Sequence, residues 1–264
     1  MDANELYDPE FRKLIKEKNL TVIIPVGSIE QHGAHLPITT DSDIVTEVAS
    51  RLAKKCGFIV FPTISYGISF EHSPLFNTSL LPEQLQELLQ NIIHGLMEHS
   101  LTSVIILNGH HGNEQDLEKL HKVFNDPAQA AAGLAAAGLA AAAAGLAAAD
   151  EQEAAAQFIS RIRLQTCHYW KYMKHEFDHA GFVETSIMLA ISDKVKMKKA
   201  KKGLITKGLS EKERKRINKL STQPGGFPQV TKNGVWGDPT GATKKDGEKF
   251  LAEIVRNLAK ECQS

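Results

Sequence analysis

Val22–Asp43, VIIPVGSIEQHGAHLPITTDSD, is the stretch whose reading decides the fold. The β-branched run Val22-Ile23-Ile24-Pro25-Val26 reads as a strand buried on both faces of an α/β sheet. Gly27 breaks it, and Glu30, His32, His35, Asp41 and Asp43 follow within fourteen residues. Ligands of such sheets gather just past the carboxyl ends of the strands. Carboxylates and imidazoles concentrated there are the donors that Zn²⁺, Mn²⁺ or Fe²⁺ takes.

Outward from this stretch, strands alternate with amphipathic helices. Ile44–Lys55 has helical spacing (Ile44, Val48, Leu52), and Phe58–Pro62 reads as a second strand. Pro82–Ser100 is a helix with Leu85, Leu89, Ile92 and Leu96 on one face, followed by the strand Ser103–Leu107 and a helix over Glu114–Phe124. Short links between alternating elements predict a doubly wound, mostly parallel sheet. The length of 264 residues suits one domain over 1–264. Ala128–Gln157 interrupts this pattern with alanine and repeated Gly-Leu pairs, and it carries no chemistry. Phe158–His168 is expected to be a strand, and Phe182–Ile191 and Asp246–Lys260 helices.

Composition narrows the function classes. Lys plus Arg and Asp plus Glu balance at 31 each, so no overall field recruits nucleic acid or an anionic membrane. Met1–Leu20 is charged and helical in pattern, and no apolar run approaches a membrane span. Three cysteines without metal spacing point to a reducing, cytoplasmic setting. Lys194–Lys219 holds twelve Lys or Arg against two Glu; a solvated face is the simpler reading, a rim for an anionic substrate the sharper one.

Glu30 and His32, two apart, project to one side of an extended segment. His110, in Asn108-Gly109-His110-His111-Gly112-Asn113, arrives at the end of a second strand. Carboxylates and histidines brought together from two strand ends make a metal hydrolase site, with ions about 3.5–4 Å apart in two-metal cases. Spacing leaves Asp41 and Asp43 both open as the second carboxylate, though Asp43 suits a helix cap. His35 reads as structural, His72 as pocket-facing, and His111 as divided between the pocket and its own loop. His94, His99 and His121 sit on helices, and His168 and His175 flank Trp170 as structural residues. Asp238, before Pro239, is a turn-former.

The segment Gly27-Ser28-Ile29-Glu30-Gln31-His32-Gly33-Ala34-His35-Leu36-Pro37, with Asp41 eleven residues after Glu30, resembles the signature of the creatininase (creatinine amidohydrolase) family. The Asn108–Asn113 loop is similar to that family's NGHGGN, Asp178–Ser186 to its HAGxxETS, and Gly234–Pro239 to its GxxGDP element. The resemblance implies a two-metal hydrolase of non-peptide C–N bonds, cyclic amides or formamides, using Zn and/or Mn, with Fe as a further candidate. It implies a three-layer α/β/α fold, a small amide substrate and a homo-oligomer, commonly a hexamer. Carried over, Glu30, Asp41 and His110 would hold one ion, and His32 with a bridging Asp41 the other. Glu184 would complete the second site or act as base, and His179 would face the substrate, with His72, His111 and Trp170 lining its pocket. The chain departs from creatininases at Gly112, where they carry a metal-binding Glu; Glu184 or His111 would have to replace it. Relatives include a deformylase of a formylamino-pyrimidine nucleotide in flavin and deazaflavin synthesis and a peptidase maturing a peptide-derived cofactor. A catalytically weak metal-binding member is a further reading.

Overall fold

The computed structural model describes residues 1–126 and 162–263; the alanine-rich segment over 128–157 lies outside them. Helix α1 (Asp8–Glu17) precedes β1 (Thr21–Val26), and the two-residue β2 (Ile29–Glu30) follows at once. Next come α2 (Thr40–Cys56), β3 (Ile59–Val60), β4 (Asn77–Thr78), α3 (Pro82–Glu98), β5 (Ser103–Asn108) and α4 (Glu114–Asn125). After the undescribed stretch the chain resumes with β6 (Arg163–His168), α5 (Phe182–Ile191), α6 (Glu211–Ser221), the short α7 (Phe227–Val230) and α8 (Lys244–Cys262).

The central sheet runs β3-β1-β5-β6, and all its pairings are parallel. Alternate residues of each strand enter opposite cores, as strand geometry requires. Ile23, Ile105 and Leu107 pack with α2, α5 and α8 on one face. Val22, Ile24, Val26, Val104 and Ile106 pack with α3 and α4 on the other. The result is the expected α/β/α layering, with apolar side chains on both faces of the sheet.

Topology fixes where the chemistry gathers. From β1 the chain goes outward to β3, then returns to the other side of β1 as β5. The loops leaving β1 and β5 therefore diverge, opening a crevice at their carboxyl ends. Register places Val26 opposite Asn108, so Glu30 and His110 leave adjacent strands at the same level. A second, antiparallel pair, β2 with β4, sets Glu30 opposite Asn77 and folds the loop between β3 and β4 over that crevice.

Helix α2 begins earlier than the apolar spacing indicated. The chain turns at Pro37, where Thr40 Oγ1 donates to the Pro37 carbonyl, and Thr39 takes the N-cap position. Asp43 is therefore in the first turn rather than at the cap, accepting a hydrogen bond from Thr39 Oγ1 at 2.9 Å. Asp41 becomes the second residue of the helix, where the unpaired N–H groups favour an anion. Among the described residues no helix is long and apolar enough to cross a membrane.

Candidate metal centre

Glu30, His32, Asp41, His110 and Glu184 are all buried at the crevice between β1 and β5. The two histidines are arranged alike. His32 Nδ1 donates to the Glu30 carbonyl at 3.1 Å, and its Nε2 reaches Asp41 Oδ1 at 3.1 Å. His110 Nε2 donates to the Ile68 carbonyl at 2.8 Å, and its Nδ1 stands 3.0 Å from Asp41 Oδ2. Each ring is thus anchored to a backbone carbonyl through one nitrogen and turns the other toward a separate oxygen of one carboxylate. Metal-ligating histidines are oriented in this way, and a carboxylate straddled by two such rings has the place of a bridging ligand.

Several contacts here are close without being hydrogen bonds. Glu30 Oε1 is 2.9 Å from His72 Nε2, and Asp41 Oδ2 is 3.0 Å from His110 Nδ1, yet both oxygens lack an aligned donor. Glu184 Oε1 is also buried and unpaired, while its Oε2 accepts from the Ala180 N–H at 2.6 Å. Buried carboxylate oxygens without donors are costly unless something else takes their lone pairs. Glu30, His32 and Asp41 each present a ligand atom within 4.8 Å of the others, and so do His32, His179 and Glu184. The donor set, carboxylate oxygen and imidazole nitrogen, therefore fits divalent transition ions.

Electrostatics agree. Burial opposes charge on His32, but Asp41, then Glu184 and Glu30, raise it to about 10. Burial likewise opposes charge on His110, which Glu30, Asp41 and Glu71 hold well above the usual histidine range. Burial would raise Asp41, yet His32 and His110 keep it well below the usual carboxylate range. Protons on these rings satisfy the demand for positive charge that an ion would otherwise meet. Glu184 is pushed well above the carboxylate range by burial, reinforced by Asp41 and Asp178 against the pull of His32.

Glu184 is placed by the start of α5. Asp178 accepts from the N–H groups of Val183 and Glu184 at 2.8 and 3.2 Å, capping the helix that carries the glutamate inward. His179 is fixed by reciprocal backbone bonds with Trp236, in the Gly234–Pro239 element. Its Nε2 donates to the Gln31 carbonyl at 3.0 Å, which leaves Nδ1 unprotonated, 3.8 Å from Glu30 Oε1. Burial, with His32 and His72 nearby, holds His179 well below its usual range, so the ring is neutral.

Gln31 organises this wall, and its place in the motif gave no sign of it. Its Oε1 accepts from the Gly33 N–H at 3.0 Å and its Nε2 faces the Gly234 carbonyl at 3.2 Å, which fixes which end of the amide is which. Nε2 therefore donates to His72 Nδ1 at 3.0 Å, which leaves the ring's N–H on Nε2. His72 is then a donor beside Glu30 and the pocket rather than a metal ligand.

The pocket is about 830 Å³ and is walled by Phe70, His72, His111, Phe177, His179 and Phe227, with Asp41 and His110 at its floor. Trp170 corrects the expectation that it touches substrate: it is buried behind this wall, 5.6 Å from the His111 ring and 5.2 Å from Phe177. His111 lines the pocket but is exposed and turned toward Glu114 at 3.6 Å, and among the described residues it joins no group that could hold an ion. His35 is structural, bonded to Thr185 Oγ1 at 2.9 Å and held at about 4 by burial and by His32. Tyr169 is fully buried, its hydroxyl unpaired. Among the described residues lining the pocket there is no Lys or Arg; the 194–219 segment contributes Asn218 alone.

Comparison with known proteins gives the family and the fold. The Creatininase family model, described as creatinine amidohydrolase, matches residues 4–262. A mycofactocin precursor peptide peptidase of Mycolicibacterium smegmatis is 30% identical over 247 residues, 90% of this chain and 82% of the relative. A creatinine amidohydrolase of Pseudomonas putida is 30% identical over 118 residues, 42% of this chain and 45% of the relative. A solved structure titled "Creatininase Mn" superposes with a TM-score of 0.75 at 21% identity, covering 99% of this chain and 97% of that one.

Proposed function

The chain belongs to the creatininase family, and on that premise we propose that it hydrolyses the C–N bond of a small amide at a centre of Zn²⁺ or Mn²⁺ ions. Glu30, His32, Asp41, His110 and Glu184 are the residues that would hold the ions. The observation that carries the reading is the set of buried oxygens without donors, Glu30 Oε1, Asp41 Oδ2 and Glu184 Oε1, around the two anchored imidazoles. Ions held there would supply a hydroxide at neutral pH and polarise the scissile carbonyl.

The chain's own groups then divide the proton work. Glu184, its Oε2 tied to the Ala180 N–H, would give Oε1 to an ion and so leaves the proton of the attacking water to another group. His179, neutral with Nδ1 unprotonated, accepts the proton released from water and passes it to the leaving nitrogen. His72 offers its Nε2–H to a substrate oxygen, and Phe70, Phe177 and Phe227 exclude water from the reacting bond.

Pocket size favours a second reading of the substrate. About 830 Å³ is near the top of the range for small-molecule sites, roughly 300–1,000 Å³. It admits a peptide-sized amide, the class named for the mycobacterial relative. The lack of Lys or Arg in the described lining weighs against the nucleotide deformylase reading, because phosphates are ordinarily met by such groups. The test is metal content of protein purified without chelator, followed by turnover on creatinine, N-formyl amides and short peptides. Bound transition metal with release of an amine or acid from one class supports the reading. Protein without transition metal overturns it, and metal without turnover on any class favours a binding protein that keeps the fold.

A further inference from the structure

Gly112 leaves room beside His110 that a side chain would fill, and the Glu71 carboxylate stands in that room. Glu71 lies on the single turn Phe70–His72 and reaches across the crevice, its Oε1 3.3 Å from His110 Nε2. A Cβ on residue 112 would stand 2.6 Å from that oxygen, and closer still to His110 Nε2 and the Ile68 carbonyl. Glycine at 112 is what allows Ile68 and Glu71 to converge on this nitrogen. The Glu71 side chain is only 12% exposed, and among the described residues its ion-pair partners are His110 and, at 3.8 Å, His72.

We propose that Glu71 is a positioning residue: beside Glu30 Oε2, itself 3.2 Å from His110 Nε2, its carboxylate shares the proton of that nitrogen with the Ile68 carbonyl and so presents Nδ1 to an ion beside Asp41. This rests on the metal-centre reading above. A carboxylate behind a ligating imidazole fixes its tautomer and makes the opposite nitrogen a stronger donor. Glu71 also lies within 4.8 Å of Glu30 and His110 in a geometry that an ion could share. The nitrogen it faces is already committed to Ile68, however, which argues for orientation rather than ligation.

The test uses the full-length protein, stripped of metal and titrated with Zn²⁺ against a competing chelator. Glu71→Gln keeps the shape and one acceptor oxygen while removing the charge, and Glu71→Ala removes both. We expect both variants to fold and to bind the wild-type number of ions at saturation. Affinity should fall about 10–100-fold in Glu71→Ala and less in Glu71→Gln. In a His110→Ala background, Glu71→Gln should cause no further loss. Unchanged affinity in Glu71→Ala overturns the proposal, as does an equal further loss in the His110→Ala background. Loss of one whole ion at saturation also overturns it, making Glu71 a ligand. Wild-type protein that binds no Zn²⁺ instead defeats the metal-centre reading itself.

Discussion

Asp41 offers one oxygen to each of two histidines that come from different strand ends. His32 Nε2 is 3.1 Å from Oδ1, and His110 Nδ1 is 3.0 Å from Oδ2. Asp41→Asn keeps the shape and removes the charge that both rings face. Metal content should fall, and kcat/KM should drop at least about 10³-fold, in line with loss of a group stabilising the reaction's charge. Metal-free Asp41→Asn should also be less stable by about 3–5 kcal/mol, because two buried imidazolium groups lose their partner. Urea unfolding of the metal-free protein checks this; unchanged stability would mean the rings are not charged in the folded chain.

The pH dependence of the metal-free protein follows from His32. Its folded value, about 10, lies above the ordinary 6.5. Its contribution is fully present below pH 6.5 and is lost as pH rises toward 10, at up to ~1.4 kcal/mol per unit. Stability should decline over that window, and His32→Gln should flatten the decline. Metal affinity should move the other way, tightening as pH rises and releasing protons on binding. A metal-free protein that gains stability between pH 7 and 9.5 would contradict the assignment.

Gln31 should matter more than an uncharged motif residue usually does. Gln31→Ala frees the His72 ring and opens the contact with Gly234. Metal content should hold, because Gln31 touches no oxygen that would bind an ion, while kcat/KM falls about 10–100-fold, the range seen when a residue orienting an active histidine is removed. Loss of metal together with activity would move Gln31 into the metal centre itself.

Gly109 carries the return of β5 past α2. A Cβ there would stand 2.6 Å from the Asp41 carbonyl and 2.7 Å from Val45 Cβ. Gly109→Ala should displace the first turn of α2 and cost about 1–3 kcal/mol, as overpacking of a tight interior does. It should weaken Zn²⁺ binding in parallel, since Asp41 moves with that turn. Thermal unfolding with and without Zn²⁺ separates the two effects.

Much of this centre was legible in the sequence, for a definite reason. Val22–Val26 and Ser103–Asn108 are apolar enough to be read as buried strands, and polar residues just past such strands meet at one edge of a parallel sheet. That logic put Glu30, His32 and His110 at one sheet edge and left Asp41 and Asp43 both open, and only the family resemblance preferred Asp41. The strand logic failed where function depends on orientation. The proton on His72 is set by a glutamine amide whose direction is fixed by the N–H of Gly33 and the carbonyl of Gly234, two chain segments far apart in sequence. Trp170 has the composition of a pocket wall, yet His111 and Phe177 stand in front of it. Glu71 escaped notice because its position depends on the side chain that Gly112 lacks.

Pocket and metal centre come from different parts of the chain. The groups that would hold the ions hang from β2, from the first turns of α2 and α5, and from the end of β5, all locked to the sheet or its two cores. Asn218, Ser221, Thr222, Pro224 and Phe227 close the far side of the cavity from α6, α7 and the loop between them. Phe227 packs on the His72 and His179 rings, with centroids 4.5 and 4.8 Å apart, and so belongs with the reacting groups, whereas Asn218, Ser221, Thr222 and Pro224 supply none of the groups proposed to hold an ion. One inherited chemistry can therefore be given new substrates by replacing those four residues, which makes 218–224 the place to redesign specificity, and Phe227 and the sheet edge the places to leave untouched.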